Sequence, residues 1–191
     1  MYPVLLLIGF GLLFWTIAIH SISYEYISDI HAGISFALSV ITVLRLIPDY
    51  ILFSWSITYF MVDLIELIIQ WDVMYIIHHT LSIAVPVAGL FDPALTLGTN
   101  AGAYIMLIEY STVVLNHWQR NRNDKKRYFE LLAVYFVNRI IYLTYLLYFS
   151  YISRPKNKYG YFAVNCLRIL HILMCVWFYK LLKKLPRYCF Y

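Results

Sequence analysis

The chain of 191 residues has room for one compact domain, but its composition is 62% hydrophobic and 13% charged, against roughly 45–50% and about 25% in soluble domains. A body this small has too much surface to hide that excess from water, so the composition excludes an ordinary soluble fold and points to a bilayer. The net charge of +5 does not indicate nucleic acid, because the basic residues cluster at Arg120–Arg127, Arg154–Lys158 and Lys180–Arg187 beside apolar runs, the placement that sets membrane topology.

A membrane-spanning helix needs about 20 mostly apolar residues, and seven such segments follow in order. Pro3–Ile22 lacks a positively charged start and its apolar run is longer than a signal core, so it is expected to stay as a helix. It carries no polar stripe; Gly9 and Gly11 would allow close packing, and the segment reads as peripheral. His31–Ile47 places His31, Ser35, Ser39 and Thr42 on one face and ends before Pro48, which pushes its predecessor out of helical geometry. Tyr50–Gln70 repeats the pattern with Ser56, Tyr59, Asp63, Glu66 and Gln70. After a turn at Trp71-Asp72, Val73–Leu90 holds the pair His78-His79, then Thr80 and Ser82. Asp92-Pro93 turns the chain into Ala94–Trp118, with Asn100 and Tyr104 on one track and Glu109, Thr112 and Asn116 on the next. Beyond the polar loop Gln119–Arg127, Tyr128–Ile152 offers Tyr135, Asn138, Arg139, Tyr142 and Tyr145. Beyond Ser153–Tyr159, the last segment, Gly160–Leu182, offers Asn165, Arg168 and His171.

With seven spans the termini lie on opposite sides. The side holding the C-terminus collects nine basic residues against four, which puts the C-terminus in the cytosol. The expected division is a peripheral helix and loop over residues 1–30, a six-helix membrane domain over 31–184 and a cytosolic tail over 185–191. Three cysteines, Cys166, Cys175 and Cys189, form neither a disulfide framework nor a metal motif, and no metal is expected.

Asp63, Glu66, Glu109, Arg139 and Arg168 would together cost roughly 12–17 kcal/mol facing lipid, at about 2.5–3.5 kcal/mol each. The stripes are therefore expected to turn inward, where six helices with one polar face each would ring a polar cavity. The carboxylates and arginines there could simply neutralise one another, Asp63 with Arg139 or Arg168. Two adjacent histidines in mid-span, near several carboxylates, are instead a functional hypothesis by default.

The stretches Tyr59–Leu64, His78-His79-Thr80, Leu107–Thr112 and Leu115–Trp118, with His31-Ala32, Phe136–Arg139 and Leu170–Tyr179, resemble the TLC-domain family over about His31 to Lys184. The resemblance implies an all-α membrane protein of seven transmembrane helices, six in a polar-lined barrel open to lipid plus one peripheral N-terminal helix. It implies lipid metabolism, with the endoplasmic reticulum as the family's commonest address, although no retention signal ends the chain at Arg187–Tyr191. In the family's ceramide synthases the paired histidines are catalytic and an acyl group passes from acyl-CoA to a long-chain amine. Carried over, His78 and His79 would act on the thioester with Asp63 and Glu109 orienting them, and His31, Tyr59, Asn116, Arg139, Arg168 and His171 would bind substrate. No cofactor is implied, acyl-CoA being a co-substrate and membrane lipids the partners. Where ceramide synthases carry a further His-Asp element, this chain reads Glu109-Tyr110, closer to the family's other branches, and an N-terminal extension typical of many ceramide synthases is absent, so the resemblance leaves the acceptor open and does not single out a sphingoid base.

Three functions fit these residues: a lipid acyltransferase working at His78 and His79, a non-enzymatic lipid-binding or membrane-composition protein using the same cavity, and an ion or proton carrier relaying through Asp63, Glu66, Glu109 and the histidines. Membrane di-iron desaturases need about eight clustered histidines, whereas six occur here without an HxxxH spacing. A retinal protein would need a lysine midway along the last helix, and no HExxH, GxSxG or P-loop motif occurs.

Overall fold

The computed structural model describes residues 2–91, 101–153 and 157–189, and all regular elements among them are helical. They are α1 (Tyr2–Ser21), α2 (Tyr24–Val43), α3 (Asp49–Gln70), α4 (Val73–Phe91), α5 (Ala101–Met106), α6 (Tyr110–Arg120), α7 (Lys125–Tyr135), α8 (Leu143–Ser153), α9 (Lys158–Leu182) and α10 (Leu185–Cys189). A 3-10 turn, Leu107–Glu109, joins α5 to α6, and a π-helical segment, Phe136–Tyr142, joins α7 to α8.

Six stretches among the described residues are long and apolar enough to cross a membrane: α1, most of α2, α3, α4, the α7–α8 run and the α9–α10 run. The expected span Ala94–Trp118 begins outside the described residues. Its described part is the α5–α6 run, broken at the 3-10 turn. The outer faces are apolar, with Leu5, Leu6, Phe10, Ile65, Ile69, Phe149 and Ile172 all exposed. Soluble proteins rarely expose contiguous apolar surface of this extent; a multi-pass membrane protein requires it.

The helix ends have local causes. α2 starts seven residues ahead of the expected His31 and stops four short of Ile47. At its end Arg45 adopts left-handed geometry (φ 60), with Leu46 N–H donating to the Ile41 carbonyl and Arg45 N–H to that of Thr42, a paired-bond cap that satisfies the last carbonyls. Pro48, extended at φ −76 and ψ 147, then leads into α3. Trp71, left-handed at φ 55, ends α3, and the Asp72 carboxylate accepts from Tyr75 N–H to start α4. Asp124 and Asn157 cap α7 and α9 in the same way. The expected loop Gln119–Arg127 is reduced to four residues, because helix extends to Arg120 and resumes at Lys125.

Two cores hold the helices. One gathers Trp15 and Ala18 of α1, Ile27 of α2, Leu52, Phe53, Ile57, Tyr59 and Phe60 of α3, and Ala103 and Met106 of α5. The other gathers Trp118, Tyr128, Leu131, Tyr135, Leu143, Met174, Leu181 and Tyr188 from α6 to α10. α1 packs mainly along α3; α3 also packs on α2 and α4, α4 on α9, α2 on α5 and α6, α6 on α7, and α9 on the π segment and α8. α1 buries only Gly11, Trp15 and Ala18. A Cβ on Gly11 would lie 2.5 Å from the Thr58 hydroxyl, whereas Gly9 faces open space, so only one of the two glycines permits close approach. Gly102 is tighter still: a side chain there would overlap the ring of Phe53.

Candidate functional site

One end of the molecule brings together the start of α2, the end of α3, the start of α4, the end of α6 and the end of α9. A cavity of about 530 Å³ opens there. Its mouth carries Gln70, Asp72, Gln119, Arg120, Arg122, Lys180 and Lys184, and its walls reach His31 and Tyr59. Tyr59 lies eleven residues before the end of α3, a depth of about 16 Å at 1.5 Å per residue.

Of the residues singled out in the sequence, His31, Tyr59, Asp63, His78, His79, Glu109, Asn116 and Arg139 line this cavity, whereas Arg168 and His171 do not. Arg168 is exposed on the opposite face of α9 and donates to Asn165 Oδ1 at 3.0 Å. His171 reaches Thr144 Oγ1 at 3.1 Å. Their spacing matched an inward stripe, but α9 turns Leu170, Met174, Trp177 and Leu181 inward instead. Glu66 is half-buried and also lies off the cavity. The histidine pair is not in mid-span: His78 and His79 are the sixth and seventh residues of α4, about 8–9 Å from its start.

Asp63, 2% exposed, pairs with His79 and not with an arginine: Asp63 Oδ2 lies 2.8 Å from His79 Nε2. His79 Nδ1 lies 2.9 Å from the Tyr75 carbonyl. A carbonyl accepts only, and so does an ionised carboxylate. Both ring nitrogens of His79 are thereby engaged. His78 is different. Its Nδ1 is buried without a hydrogen-bond partner, and its ring stands edge-on to three aromatic rings, His79 and Trp177 at 5.2 Å and Phe60 at 6.3 Å between centroids. Asp63 Oδ1 is likewise unpartnered. His31 stacks on Tyr59 at 3.7 Å and is tied to Ser35 Oγ at 3.1 Å.

The facing wall centres on Arg139, 4% exposed. Its Nε donates to Ser111 Oγ at 2.6 Å, Nη1 to Met174 Sδ at 3.1 Å and Nη2 to Thr112 Oγ1 at 2.5 Å. Thr112 Oγ1 in turn donates to Glu109 Oε2 at 2.9 Å, so one hydroxyl separates carboxylate from guanidinium. Thr112 shares a face with Glu109 in the sequence, but only the fold shows that Arg139 reaches it; Ser111 and Met174 gave no signal. Asn116 is a tie between helices, donating to Ser28 Oγ and Asp29 Oδ1, both at 2.9 Å. At the mouth Arg120 pairs with Asp29 at 2.6 Å. Lys180 donates to Met74 Sδ, Lys184 lies over the Trp118 ring and Arg122 bonds the Gln119 carbonyl. None of these last three has a carboxylate partner among the described residues. The basic residues that read as topology charge thus also rim the cavity.

The arrangement offers an imidazole with an unpartnered ring nitrogen, an adjoining imidazole–carboxylate pair and a cationic entrance. The family model described as the TLC domain matches residues 8–183. That span begins inside α1, so the first helix belongs to the matched region, which the motif resemblance had placed from His31 onward. No curated protein and no solved structure gives a significant match.

Proposed function

This chain belongs to the TLC-domain family, and from that premise we propose that it is a multi-pass lipid acyltransferase that forms an acyl-imidazole at His78. The observation that carries the reading is the inequality of the two histidines: His79 is spent on Asp63 and the Tyr75 carbonyl, while His78 keeps an unpartnered ring nitrogen beside it in the same cavity. The lone pair of the neutral His78 imidazole attacks the carbonyl carbon of an acyl-CoA; the C–S bond breaks and the thiolate leaves, taking up the proton that the acylated ring gives up. The hydroxyl of a lipid acceptor then attacks the acyl-imidazole, forming the ester and giving its proton to the ring, which returns neutral His78. The His79–Asp63 pair stabilises the charge that develops alongside.

Position supports acyl-CoA as donor. The pair sits about 8–9 Å inside the end of α4, so a thioester can reach it while the phosphates of the coenzyme stay at the mouth with Arg122, Lys180 and Lys184. The reading includes six of the seven spans in a ring around the cavity, α1 outside it against α3, the mouth and C-terminus in the cytosol and residence in the endoplasmic reticulum.

The test is mass spectrometry of the purified protein incubated with isotope-labelled palmitoyl-CoA. An acyl adduct should map to His78, vanish in His78→Ala and persist at reduced yield in His79→Gln. Adduct on His79 alone would reverse the assignment. No adduct and no lipid product across several acceptors would sink the enzyme reading and leave the cavity as a lipid-binding site.

A further inference from the structure

Arg139 is a buried cation whose acceptors are all neutral. Among the described residues no carboxylate stands within ion-pair distance of it. Asp63 is engaged with His79, and Glu109 is held off by the Thr112 hydroxyl. A guanidinium has five N–H donors in a planar fork, of which Ser111, Thr112 and Met174 take three, and its carbon lies 5.4 Å from the centroid of the Tyr135 ring, which lines the same cavity. The remaining donors belong to a side chain that forms part of the cavity wall.

The backbone gives a second, independent indication. Arg139 is the middle residue of the π-helical segment Phe136–Tyr142. Such wide turns are rare, waste hydrogen-bond geometry and concentrate at functional sites. Here the wide turn brings Tyr135, Arg139 and Leu143, at steps of four, to the buried side, and leaves Val137 and Ile141 outward. Simple charge neutralisation would put the guanidinium directly against Glu109 or Asp63; the fold keeps it apart from both.

We infer that Arg139 is a receptor for an oxyanion carried by the lipid substrate, a phosphate or a carboxylate, bound within the cavity opposite the histidines. The inference rests on the reading of this cavity as a lipid site and does not depend on acyl transfer. An anionic group meets a guanidinium through charge-assisted, often two-pronged bonds, which neutral or cationic headgroups cannot make. The wall would therefore select against a long-chain amine, whose ammonium it repels.

Three probes with one oleoyl chain separate the cases: 1-oleoyl lysophosphatidate (phosphate), oleate (carboxylate) and monoolein (neutral). Retention of each by the full-length protein in detergent is measured by native mass spectrometry. The wild type should hold at least one anionic probe roughly tenfold or more over monoolein, as expected for a charge-assisted hydrogen bond, and which probe wins names the group. Arg139→Gln should abolish that preference while leaving monoolein retention unchanged, and Arg139→Lys, which keeps the charge without the fork, should retain part of it. Equal loss of all three probes in Arg139→Gln with normal retention in Arg139→Lys would mean that Arg139 only props the wall, and would overturn the inference. So would a preference that survives Arg139→Gln and disappears in Lys180→Gln/Lys184→Gln. Adduct formation at His78 is read in the same preparations. Its absence beside an Arg139-dependent preference removes acyl transfer and leaves the receptor, and an adduct without the preference does the reverse.

Discussion

On the α2–α4 side of the cavity the polar groups are joined in short, specific pairs: Asp63 to His79, His79 to the Tyr75 carbonyl, His31 to Ser35. On the α6–α9 side a single guanidinium is spread over two hydroxyls and a thioether, with its nearest carboxylate one hydroxyl away. The first wall fixes protons; the second fixes a charge without discharging it. Each sits on its own core, the aromatic cluster around Trp15 and Phe53 behind the first and the Tyr128–Tyr188 cluster behind the second. The contrast teaches that a polar membrane interior need not be one continuous neutralised network. Two walls can be stabilised separately, each by its own partners, across an open cavity.

The largest effect should come from breaking the first wall at its pair. Asp63→Ala leaves the His79 ring facing an empty buried position, and thermal unfolding in detergent should register a loss of about 3–5 kcal/mol, the usual result of removing one partner of a buried pair. A change of under ~1 kcal/mol would show that the pair is not what holds α3 against α4. Next, His78→Gln should lower acyl transfer by about a hundredfold or more with little change in the unfolding midpoint, because His78 has no hydrogen bond to lose at Nδ1; activity within a few-fold of wild type would remove His78 from the chemistry.

The second wall should yield less per change. Thr112→Val removes one of three acceptors of a charged group and the link to Glu109, for about 1.5–3 kcal/mol, and a midpoint equal to wild type would show that the two remaining acceptors suffice. The smallest effect separates two glycines of α1. Gly11→Ala forces a methyl against Thr58 and should destabilise by about 1 kcal/mol, at the lower end for overpacking. Gly9→Ala, with nothing to meet, should be neutral or slightly stabilising by helix propensity. Equal behaviour of the two would mean that α1 does not pack closely on α3.

Much of this was legible in the residues. Asp63, Glu109 and the histidine pair stand out because ionisable groups are costly in apolar runs, and helical spacing assigns Tyr59 and Asp63 to one face. The same spacing failed for Arg168, since periodicity tells which residues share a face and not which way that face turns. In the α7–α8 run the 3.6-residue count breaks at the π segment, so the grouping of Asn138, Tyr142 and Tyr145 with Arg139 did not tell which of them faces inward: Arg139 is buried and Tyr145 is exposed. The different surroundings of His78 and His79 were not readable at all, because adjacent residues differ by about 100° around a helix and only their neighbours distinguish them.

The sequence by itself determined that this chain is a bundle of apolar helices carrying ionisable groups that are costly in lipid; composition and periodicity are local properties, and the cost of exposing charge to hydrocarbon acts residue by residue. The tertiary structure alone decided which of those groups meet. It paired Asp63 with His79, held Arg139 away from both carboxylates and turned Arg168 out, because hydrogen-bond partners are set by the rotation of each helix against neighbours distant in the chain.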